Sequence, residues 1–389
     1  MSNAALTVPI YRDRDFYVPA FEIKIRNAGL PNDVVKDVME VRYTDHVKEI
    51  DSFEITVNNW DAERQDFKYT GGTKGDNNAG IAQQRSELFD PGQEIELWMG
   101  YFKPLKDGSN PLSMMLLGQI KTLAPSFPAA GVPTLKVSGR NVLEQFSTEQ
   151  KTHDYVKQGN NQNRDSDIVE QIGKRSNFKY KGKPVPIVIN CEARNWEDSN
   201  EHVSQVNQLD ILFIMQRARR NSYDLLFIPD DDDHRVRNST GCPNVPDPPF
   251  IYFGPSTNLL AVSYVLEWGK SLIQFQPTLT TTNQVSQVTV RGWDVSKKKP
   301  IKVTVKRSDL KIRALQNQQK QKKLEKEFDQ HREIVVDKPF RSEQEARKLA
   351  MSLLEDNSKA MVKARGSTVG LPDLRAGSFV QIRGLGETF

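Results

Sequence analysis

The sequence is poor in cysteine, and this limits the chemistry and the covalent crosslinking that it can carry. It has two cysteines, Cys191 and Cys242, among 389 residues. They form no Cys-x-x-Cys motif and provide no disulfide framework, so we expect folding in a reducing cytoplasm. The sequence alone leaves open whether a single bridge joins these two thiols.

Long apolar runs and a surplus of one charge are also missing. No segment approaches the roughly 18 apolar residues that a membrane-spanning helix requires. Met1–Tyr11 has neither the basic stretch nor the apolar run of a signal peptide. The 54 basic and 50 acidic residues give a net charge of +4, a balance that neither requires nor excludes nucleic acid. We expect a protein that is made in the cytoplasm, has no membrane segment, and leaves the cell only as part of an assembly.

Recognisable catalytic and metal-binding motifs are absent as well. Asp230–Asp233, followed by His234, has consecutive carboxylates where a calcium loop needs alternate ligands and a glycine, so we interpret it as a solvated loop. There is no nucleophile elbow, Walker loop or zinc-protease helix, and nothing selects two carboxylates for glycoside cleavage. No histidine has a partner at metal-ligand spacing; the five are His46, His153, His202, His234 and His331. We therefore expect no enzyme activity and no catalytic, cofactor-binding or metal-binding residue.

A series of short alternating segments lies between Ser86 and Ser147. Leu88–Tyr101, Leu116–Ile120 and Thr134–Gly139 each alternate apolar with polar residues, which is the two-residue period of a strand. The first segment contains Asp90-Pro91-Gly92, a turn in which proline fixes one corner and glycine accepts a positive φ at the next. Several such strands in succession predict an antiparallel sheet or barrel.

The strand within Leu88–Tyr101 is expected to have one buried face. Its two alternating sets are Ile95, Leu97 and Met99 toward the core, and Glu94, Glu96 and Trp98 on the other side. Three further alternating segments lie upstream: Phe21–Ile25, Met39–Tyr43 and Ser52–Val57. Residues 20–148 thus give six or seven strands, close to the number that a small closed barrel requires.

The order of these segments resembles a known family. Phe53–Val57, then Leu88–Tyr101, then Leu116–Ile120, then Leu135–Arg140 follow the pattern of the baseplate hub family of contractile tails. That family includes the late control protein D of tailed phages and the amino-terminal hub half of VgrG spike proteins. The resemblance implies two barrels similar to the tail-tube subunit in each chain.

The period changes after Glu149, and residues 149–249 predict a small α+β domain. A helix is expected over 167–177, with Asp167 and Glu170 at capping-box spacing. The other predicted elements are a strand at Val185–Ile189 whose proline suggests a sheet edge, a buried helix around Leu209–Gln216, a strand at Tyr223–Phe227, and a Pro/Asp-rich loop from Asp230 to Pro249.

The carboxy-terminal third combines strands with one clear helix. Strands are expected within Thr278–Arg291 and at Met361–Arg365. The helix begins after Ser342, which has capping-box spacing with Glu345. Its apolar stripe at helical spacing consists of Ala346, Leu349, Ala350, Leu353 and Leu354.

Lys297–Lys326 is the strongest basic run in the chain. A nucleic-acid surface would need interleaved aromatic residues for stacking, and only Phe328 lies nearby. We interpret the run as a solvated insertion, with Asp309–Arg332 contributing little to the core. A nucleic-acid-binding assembly factor remains a lesser alternative.

A short motif occurs twice. Leu-x-x-Gly-x-x-Val-x-Ile at Leu374–Ile382 repeats Phe-x-x-Gly-x-x-Ile-x-Leu at Phe89–Leu97, which favours two barrels of one design. We expect a positive φ at both Gly92 and Gly377. In the resembled family a further strand follows this point, so we expect that Phe389 is not the natural end or that a partner supplies the missing strand.

The fold class expected is therefore mainly β with an α+β insertion: two tail-tube-like antiparallel β-barrels, a small α+β domain and one amphipathic helix. The expected domains are an arm at 1–19, a first barrel at 20–148, the α+β domain with its loop at 149–249, and a second barrel at 250–389. The second barrel would contain a polar and helical insertion at 309–357.

The function implied by the resemblance is structural. The chain would be a hub, or spike base, that forms a trimeric ring and adapts a hexameric tube to a trimeric spike and baseplate. Its partners would be two further copies, an inner tube or tube-initiator protein, a spike or spike-tip protein, and baseplate proteins, within a virion or phage-tail-like particle. It would require no cofactor and no nucleic acid. The alternative from another class is a tail-associated β-rich hydrolase or glycan-binding protein.

Overall fold

The structure is a computed structural model of the chain, and it is mainly β with five α-helices among the described residues. The residues that it describes are 8–9, 18–71, 85, 87–102, 112–159, 162–175, 179–229, 242, 244–255, 264–294, 298–310, 332–335, 343–378 and 380–386. No helix in these ranges is long and apolar enough to cross a membrane.

The strands are numbered in chain order. Strands β1 to β10 are Val8–Pro9, Pro19–Ile25, Ala28–Gly29, Val38–Thr44, Ser52–Asn58, Trp60–Asp61, Asp66–Phe67, Glu94–Tyr101, Leu112–Ser126 and Thr134–Asn141. Strands β11 to β17 are Gln150–Val156, Lys179–Tyr180, Lys183–Pro184, Ile187–Ile189, His202–Leu209, Asp224–Ile228 and Phe250–Gly254. Strands β18 to β24 are Tyr264–Glu267, Leu272–Leu279, Gln287–Asp294, Lys299–Lys306, Arg332–Val335, Val362–Thr368 and Val380–Arg383.

The helices are few and mostly short. Helices α1 to α5 are Asn32–Asp37, Asp165–Lys174, Cys191–Arg194, Asp210–Asn221 and Glu343–Lys359. Two 3₁₀ helices lie at Val142–Ser147 and Arg307–Asp309.

The amino-terminal part of the chain forms a seven-stranded antiparallel sheet in the order β3-β2-β8-β9-β10-β5-β4. The strands predicted from alternation upstream, and those predicted between Ser86 and Ser147, are confirmed as members of this sheet. Gly92 has the predicted positive φ of 93°, and Gln93 N–H closes the turn on the Asp90 carbonyl at 3.2 Å.

The prediction of a closed barrel is wrong for this sheet. Its two edges are β3 and β4, and no ladder joins them among the described residues. The Leu30 N–H donates a hydrogen bond to the Ile23 carbonyl, which is the last such bond beyond β3. Pro31 has no N–H to donate to a further strand, and helix α1 begins at the next residue. Val34 of α1 is 1% exposed and belongs to the core of the sheet. The helix therefore occupies the gap that a further strand pairing would have closed.

The seven-stranded sheet is covered on both faces, not on one. Ile95 and Leu97 belong to a core on one face. Met114 and Leu117 of β9 belong to a second core on the other face, together with residues of the central α+β region such as Phe213. This explains why β9 carries a continuous apolar run where an exposed face would have alternated.

Because both faces of the sheet are covered, Glu96, which the alternation places on a solvent-exposed face, is buried. It is 3% exposed, because Trp98 and Tyr180 cover it. Its Oε2 accepts hydrogen bonds from Trp98 Nε1 at 3.1 Å and from the Tyr180 hydroxyl at 3.3 Å. The carboxylate is tolerated on the covered face because these donors satisfy it.

The central region contains the predicted α+β elements with shifted boundaries. Helix α2 begins at Asp165, earlier than expected, and Asp167 accepts the Arg164 N–H at 2.9 Å. Asp167 is thus the third helical residue and not the cap, which corrects the predicted capping box. Ile168 and Ile172 are buried as predicted.

The other central elements agree with the prediction in most respects. Helix α4 begins one residue later than predicted, since Leu209 ends β15, and it extends beyond Gln216 to Asn221. Leu212 is 52% exposed and so is not part of the core. Strand β14 is an edge of the sheet β14-β17-β16, as Pro186 had suggested. The two cysteines are joined: Cys191 and Cys242 form a disulfide with Cα atoms 5.2 Å apart.

The carboxy-terminal region does not form a second barrel among the described residues. Its strands divide among three small sheets: β21-β20-β22, β19-β23 and β1-β18-β24. Helix α5 is confirmed, and its buried residues Ala346, Ala350 and Leu354 cover one face of β20 and β21. No ladder joins these strands to β19 or β23 among the described residues, so they do not form one continuous sheet.

Part of the basic run is a strand, which corrects its interpretation as a solvated insertion. In β21, Ile301, Val303 and Val305 face the core and alternate with exposed lysines and a threonine. Residues 311–331 lie outside the described residues, so the expectation for Asp309–Arg332 is untested.

The two copies of the repeated motif form the same turn, but the strands that follow the turns pair differently. Gly377 has φ 88°, and Ser378 N–H bonds the Arg375 carbonyl at 3.0 Å, as in the turn at Gly92. The strand that follows differs, because β24 pairs in parallel with β18 whereas β8 is antiparallel to both neighbours. β24 is an edge of its sheet, and residues 387–389 lie outside the described residues.

Candidate functional site

Three segments that are distant in sequence meet at one place, which we call the junction. It consists of Tyr43 with the loop 45–51 from the first sheet, residues 225–228 of β16, and the turn 375–378. The loop projects here because it connects the antiparallel neighbours β4 and β5. The carboxy-terminal turn thus reaches both the first sheet and the central region.

Arg375 carries most of the polar contacts of the junction. Its guanidinium donates to the main-chain oxygens of Met114 at 2.5 Å and Met115 at 3.2 Å. It also lies 5.4 Å from the centre of the Tyr43 ring. The next residue, Ala376, donates its N–H to Asp45 Oδ2 at 2.9 Å. A planar cation with several donors suits this position, because it can bond two carbonyls and stack on an aromatic ring.

Asp51 is a buried carboxylate of the junction. Its Oδ1 accepts the His46 N–H at 3.1 Å and its Oδ2 accepts Asn141 Nδ2 at 2.7 Å. Burial raises the pKa of Asp51 to about 7, the nearby Asp45 carboxylate adds to the rise, and the His46 hydrogen bond opposes it. Burial likewise raises the pKa of the Tyr43 hydroxyl above its ordinary range. The junction therefore takes up a proton at a higher pH than exposed aspartates do.

The cleft at the junction is too small for a substrate. Its free space of about 40 Å³ holds a water molecule or two, whereas ligand pockets usually measure several hundred Å³. Within the described ranges, no three His, Cys, Asp or Glu side chains are arranged to hold a metal ion. The junction therefore holds the carboxy-terminal turn against the first sheet and does not form a ligand pocket.

A serine, a histidine and an aspartate meet on the surface of β11 and β15. Ser204 Oγ lies 2.5 Å from Asp154 Oδ1, and His202 Nε2 lies 3.0 Å from the same oxygen and 3.3 Å from Oγ. In a hydrolase triad the carboxylate holds Nδ1 and leaves Nε2 for the serine. Here one carboxylate oxygen binds both groups, and hydrogen bonding from Ser204 lowers the pKa of Asp154. The three side chains form a surface hydrogen-bond cluster without triad geometry.

A second polar cluster lies buried beside α2 and α4. Glu197 accepts the Ser166 N–H at 2.8 Å and also the Ser166 hydroxyl. Asp165 pairs with Arg217 at 3.3 Å. Burial raises the pKa of Glu197, while the two bonds from Ser166 oppose the rise. Since donors meet these buried carboxylates, the cluster anchors helices to one another and offers no open ligand position.

The residues weighed from the sequence do not gather at the junction. His46 contributes a backbone N–H there, His153 packs edge-on against Tyr155, and His202 belongs to the surface cluster. His234 and His331 lie outside the described residues, as does Asp230–Asp233.

Sequence reasoning missed the two main residues of the junction, Arg375 and Asp51. Arg375 is 260 residues from Met115, so no local pattern relates them. Asp51 precedes an alternating strand and has the appearance of an ordinary loop aspartate. The repeated turn at Gly377 was the one available signal that this part of the chain has a defined geometry.

Solved structures of tail proteins share this fold over nearly the whole chain. The 43 kDa tail protein of prophage MuSo2 from Shewanella oneidensis has a TM-score of 0.58 at 11% identity, covering 95% of this chain and 91% of that chain. The tail protein from Neisseria meningitidis MC58 has a TM-score of 0.55 at 11% identity, covering 96% and 89%. Prophage tail protein gp18 from Listeria monocytogenes EGD-e has a TM-score of 0.48 at 14% identity, covering 93% and 84%. The first two comparisons show that this chain has a phage-tail-protein fold.

The sequence comparisons add less. A family model described as the Alg8 N-terminal domain matches residues 253–389, which is less than half of the chain. No curated protein matches the sequence. The expected phage-tail-like fold is thus confirmed by structure, and the particular hub family stays a prediction.

Proposed function

We propose that this chain is a structural hub protein of a contractile tail or contractile injection system. It forms a trimeric ring that adapts a hexameric tube to a trimeric spike and to the baseplate. The observation that carries the proposal is the likeness of fold to two tail proteins over at least 95% of this chain. Fold alone does not fix function, so the proposal also depends on how three copies of the chain would assemble.

A short turn motif is repeated within the chain. The turns at Gly92 and Gly377 share their geometry, although the strands that follow them pair differently. We infer that each chain has two units that face the tube, the seven-stranded sheet and the group of three small carboxy-terminal sheets. Three chains would then present six units to the tube and a true threefold axis to the spike. Such a ring needs heterologous interfaces that close on themselves.

The junction has a definite role in this scheme. Arg375 and Ala376 tie the carboxy-terminal turn to β9 and to the loop of the first sheet. A ring with two units per chain requires those units to keep a fixed relative position. We propose that the junction provides this rigidity, and that the four segments 1–19, 20–148, 149–249 and 250–389 act as the chain's domains within a virion or phage-tail-like particle.

The proposed role needs no catalytic step. It therefore assigns no catalytic, cofactor-binding or metal-binding residue to the chain. The surface cluster of Ser204, His202 and Asp154 lacks the arrangement that a hydrolase would use, so it gives no support to the hydrolase alternative.

Co-expression with tube and spike proteins from the same genome tests the proposal. We expect a complex that survives size-exclusion chromatography and shows a ring with a threefold axis by electron microscopy. The same preparation is incubated with peptidoglycan. If no such complex forms and the chain releases soluble fragments from peptidoglycan, the hub function is wrong and the hydrolase alternative is favoured.

A further inference from the structure

The sheet β21-β20-β22 has one covered face and one outward face. Val288, Val290 and Val303 are among the residues buried against α5. The alternate residues form the outward face, which we call the basic face. Strand pairing arranges it in rows: Lys306, Gln287 and Arg332; Thr304, Thr289 and Ile334; Lys302 and Arg291; Pro300 and Trp293.

Among the residues that the structure describes, the basic face contains four cations and no carboxylate. Lys302 and Arg291 lie directly opposite each other on neighbouring strands. Lys306 and Arg332 both lie in another row, roughly 13 Å away along the strands. Among the described residues, none of the four forms an ion pair.

Glu333 of β22 lies on the other side of the sheet. It pairs with Val288, and this position alternates with those of the basic face. Like charges directly opposite in an antiparallel pair are destabilising, so the Lys302–Arg291 row costs stability in the isolated chain. An anionic partner would reverse the sign of that contribution.

The centre of the basic face is neutral and satisfied. Thr289, which is only 6% exposed, and Thr304, which is exposed, bond each other through their hydroxyls at 2.9 Å. Beside them, Trp293 is 51% exposed and Ile334 is 54% exposed. The face thus has two rows that contain cations, with Ile334 between these rows and Trp293 beyond the second. This combination of charge and apolar area suits a protein interface.

We propose that the basic face binds an acidic surface of another protein in the tail assembly. The inference rests on the proposed function, because that function makes other tail components the available partners. Single-stranded nucleic acid is the weaker alternative, since it binds where several aromatic side chains stack successive bases, and Trp293 is the one aromatic residue among the described residues of this face.

Binding of labelled poly-L-glutamate, measured by fluorescence anisotropy, tests the charge chemistry on the intact chain. Arg291→Glu with Lys302→Glu should raise the Kd at least about tenfold, and the neutral pair Arg291→Gln with Lys302→Gln should give a smaller rise. Lys363→Glu with Arg365→Glu makes the same charge change on exposed positions of β23 and should alter the Kd less than about twofold. Circular dichroism checks that every variant is folded.

A 20-nucleotide single strand and a 20-base-pair duplex are measured beside the polypeptide. Equal effects of the two charge reversals would overturn the proposal. Tighter binding of either DNA, lost in the β20–β21 variant and kept in the control, would overturn it in favour of a nucleic-acid surface.

Zero-length carbodiimide coupling in the complex with tail partners extends the test to a real interface. Lys302 or Lys306 should be joined to a partner carboxylate, and coupling confined to lysines elsewhere would contradict the proposal. The polypeptide assay requires no trimer, so its failure is distinguishable from failure of the hub function, which the mass of the oligomer tests separately.

Discussion

Replacing Arg375 with alanine should loosen the carboxy-terminal turn from the first sheet. The variant loses two charge-assisted hydrogen bonds, to the main-chain oxygens of Met114 and Met115, and a cation–π contact with Tyr43. Each such hydrogen bond contributes about 1.5–3 kcal/mol, and the cation–π contact about 0.5–2 kcal/mol. Arg375 is half-buried, so water reaches part of the vacated site and reduces the total. We expect the free energy of unfolding to fall by about 2–4 kcal/mol.

Urea unfolding followed by tryptophan fluorescence measures the change, and hydrogen exchange of peptides spanning 371–383 gives a local readout. Arg375→Lys keeps the charge and loses the fork geometry, so its loss should be smaller. Arg365→Ala removes an exposed arginine of β23 and should change stability by less than about 0.5 kcal/mol. If Arg375→Ala is indistinguishable from that control, and exchange over 371–383 is unchanged, the junction does not hold the turn and our reasoning is refuted.

Three further perturbations have definite expected outcomes. Gly92→Val and Gly377→Val should each lower the free energy of unfolding by about 1–3 kcal/mol in urea titrations, because both glycines have positive φ; tolerance at both would contradict the shared turn. The raised pKa of Asp51 means that the folded state holds this proton more tightly than the unfolded state. Its contribution to stability is therefore largest below about pH 4 and falls as pH rises through about 7; Asp51→Asn should flatten that slope, and an unchanged slope would exclude this group. Cys191→Ser with Cys242→Ser should cost about 2–4 kcal/mol, since the bridge spans a separation of 51 residues; an unchanged calorimetric midpoint would contradict this.

The strands of the first sheet could be predicted because alternation is a local signal. Ser52–Val57 alternates in the sequence, and β5 buries Phe53, Ile55 and Val57 accordingly. The same holds for helix α5, whose stripe of Ala346, Ala350 and Leu354 needs only the helical period to be seen.

Whether the sheet closes into a barrel could not be predicted, because closure depends on whether its two edge strands pair, and this is a contact between distant parts of the fold. The strand count of residues 20–148 was close to that of a barrel, but the short helix α1 occupies the gap between β3 and β4. Six residues are too few to show a helical period, so this helix cannot be predicted from the pattern of apolar residues. The buried Glu96 has a similar origin, since the group that covers it, Tyr180, lies 84 residues away.

One signal was present and was misinterpreted. Lys299–Lys306 alternates Ile301, Val303 and Val305 with polar residues, which is the pattern of a strand. Its lysines also fit a solvated insertion, which is the interpretation that the structure corrects. Reading both properties together would have placed the lysines on one face of a sheet, which is where the structure places Lys302 and Lys306.

Native mass spectrometry of the purified chain shows directly whether it forms the proposed trimeric ring. A hub requires three copies, so we predict a dominant species of three times the 44.3 kDa chain mass at micromolar concentration. The species should persist at physiological ionic strength, because a closed ring forms three interfaces together. A chain that stays at 44.3 kDa under these conditions, or that forms a stable dimer, would contradict the trimeric hub.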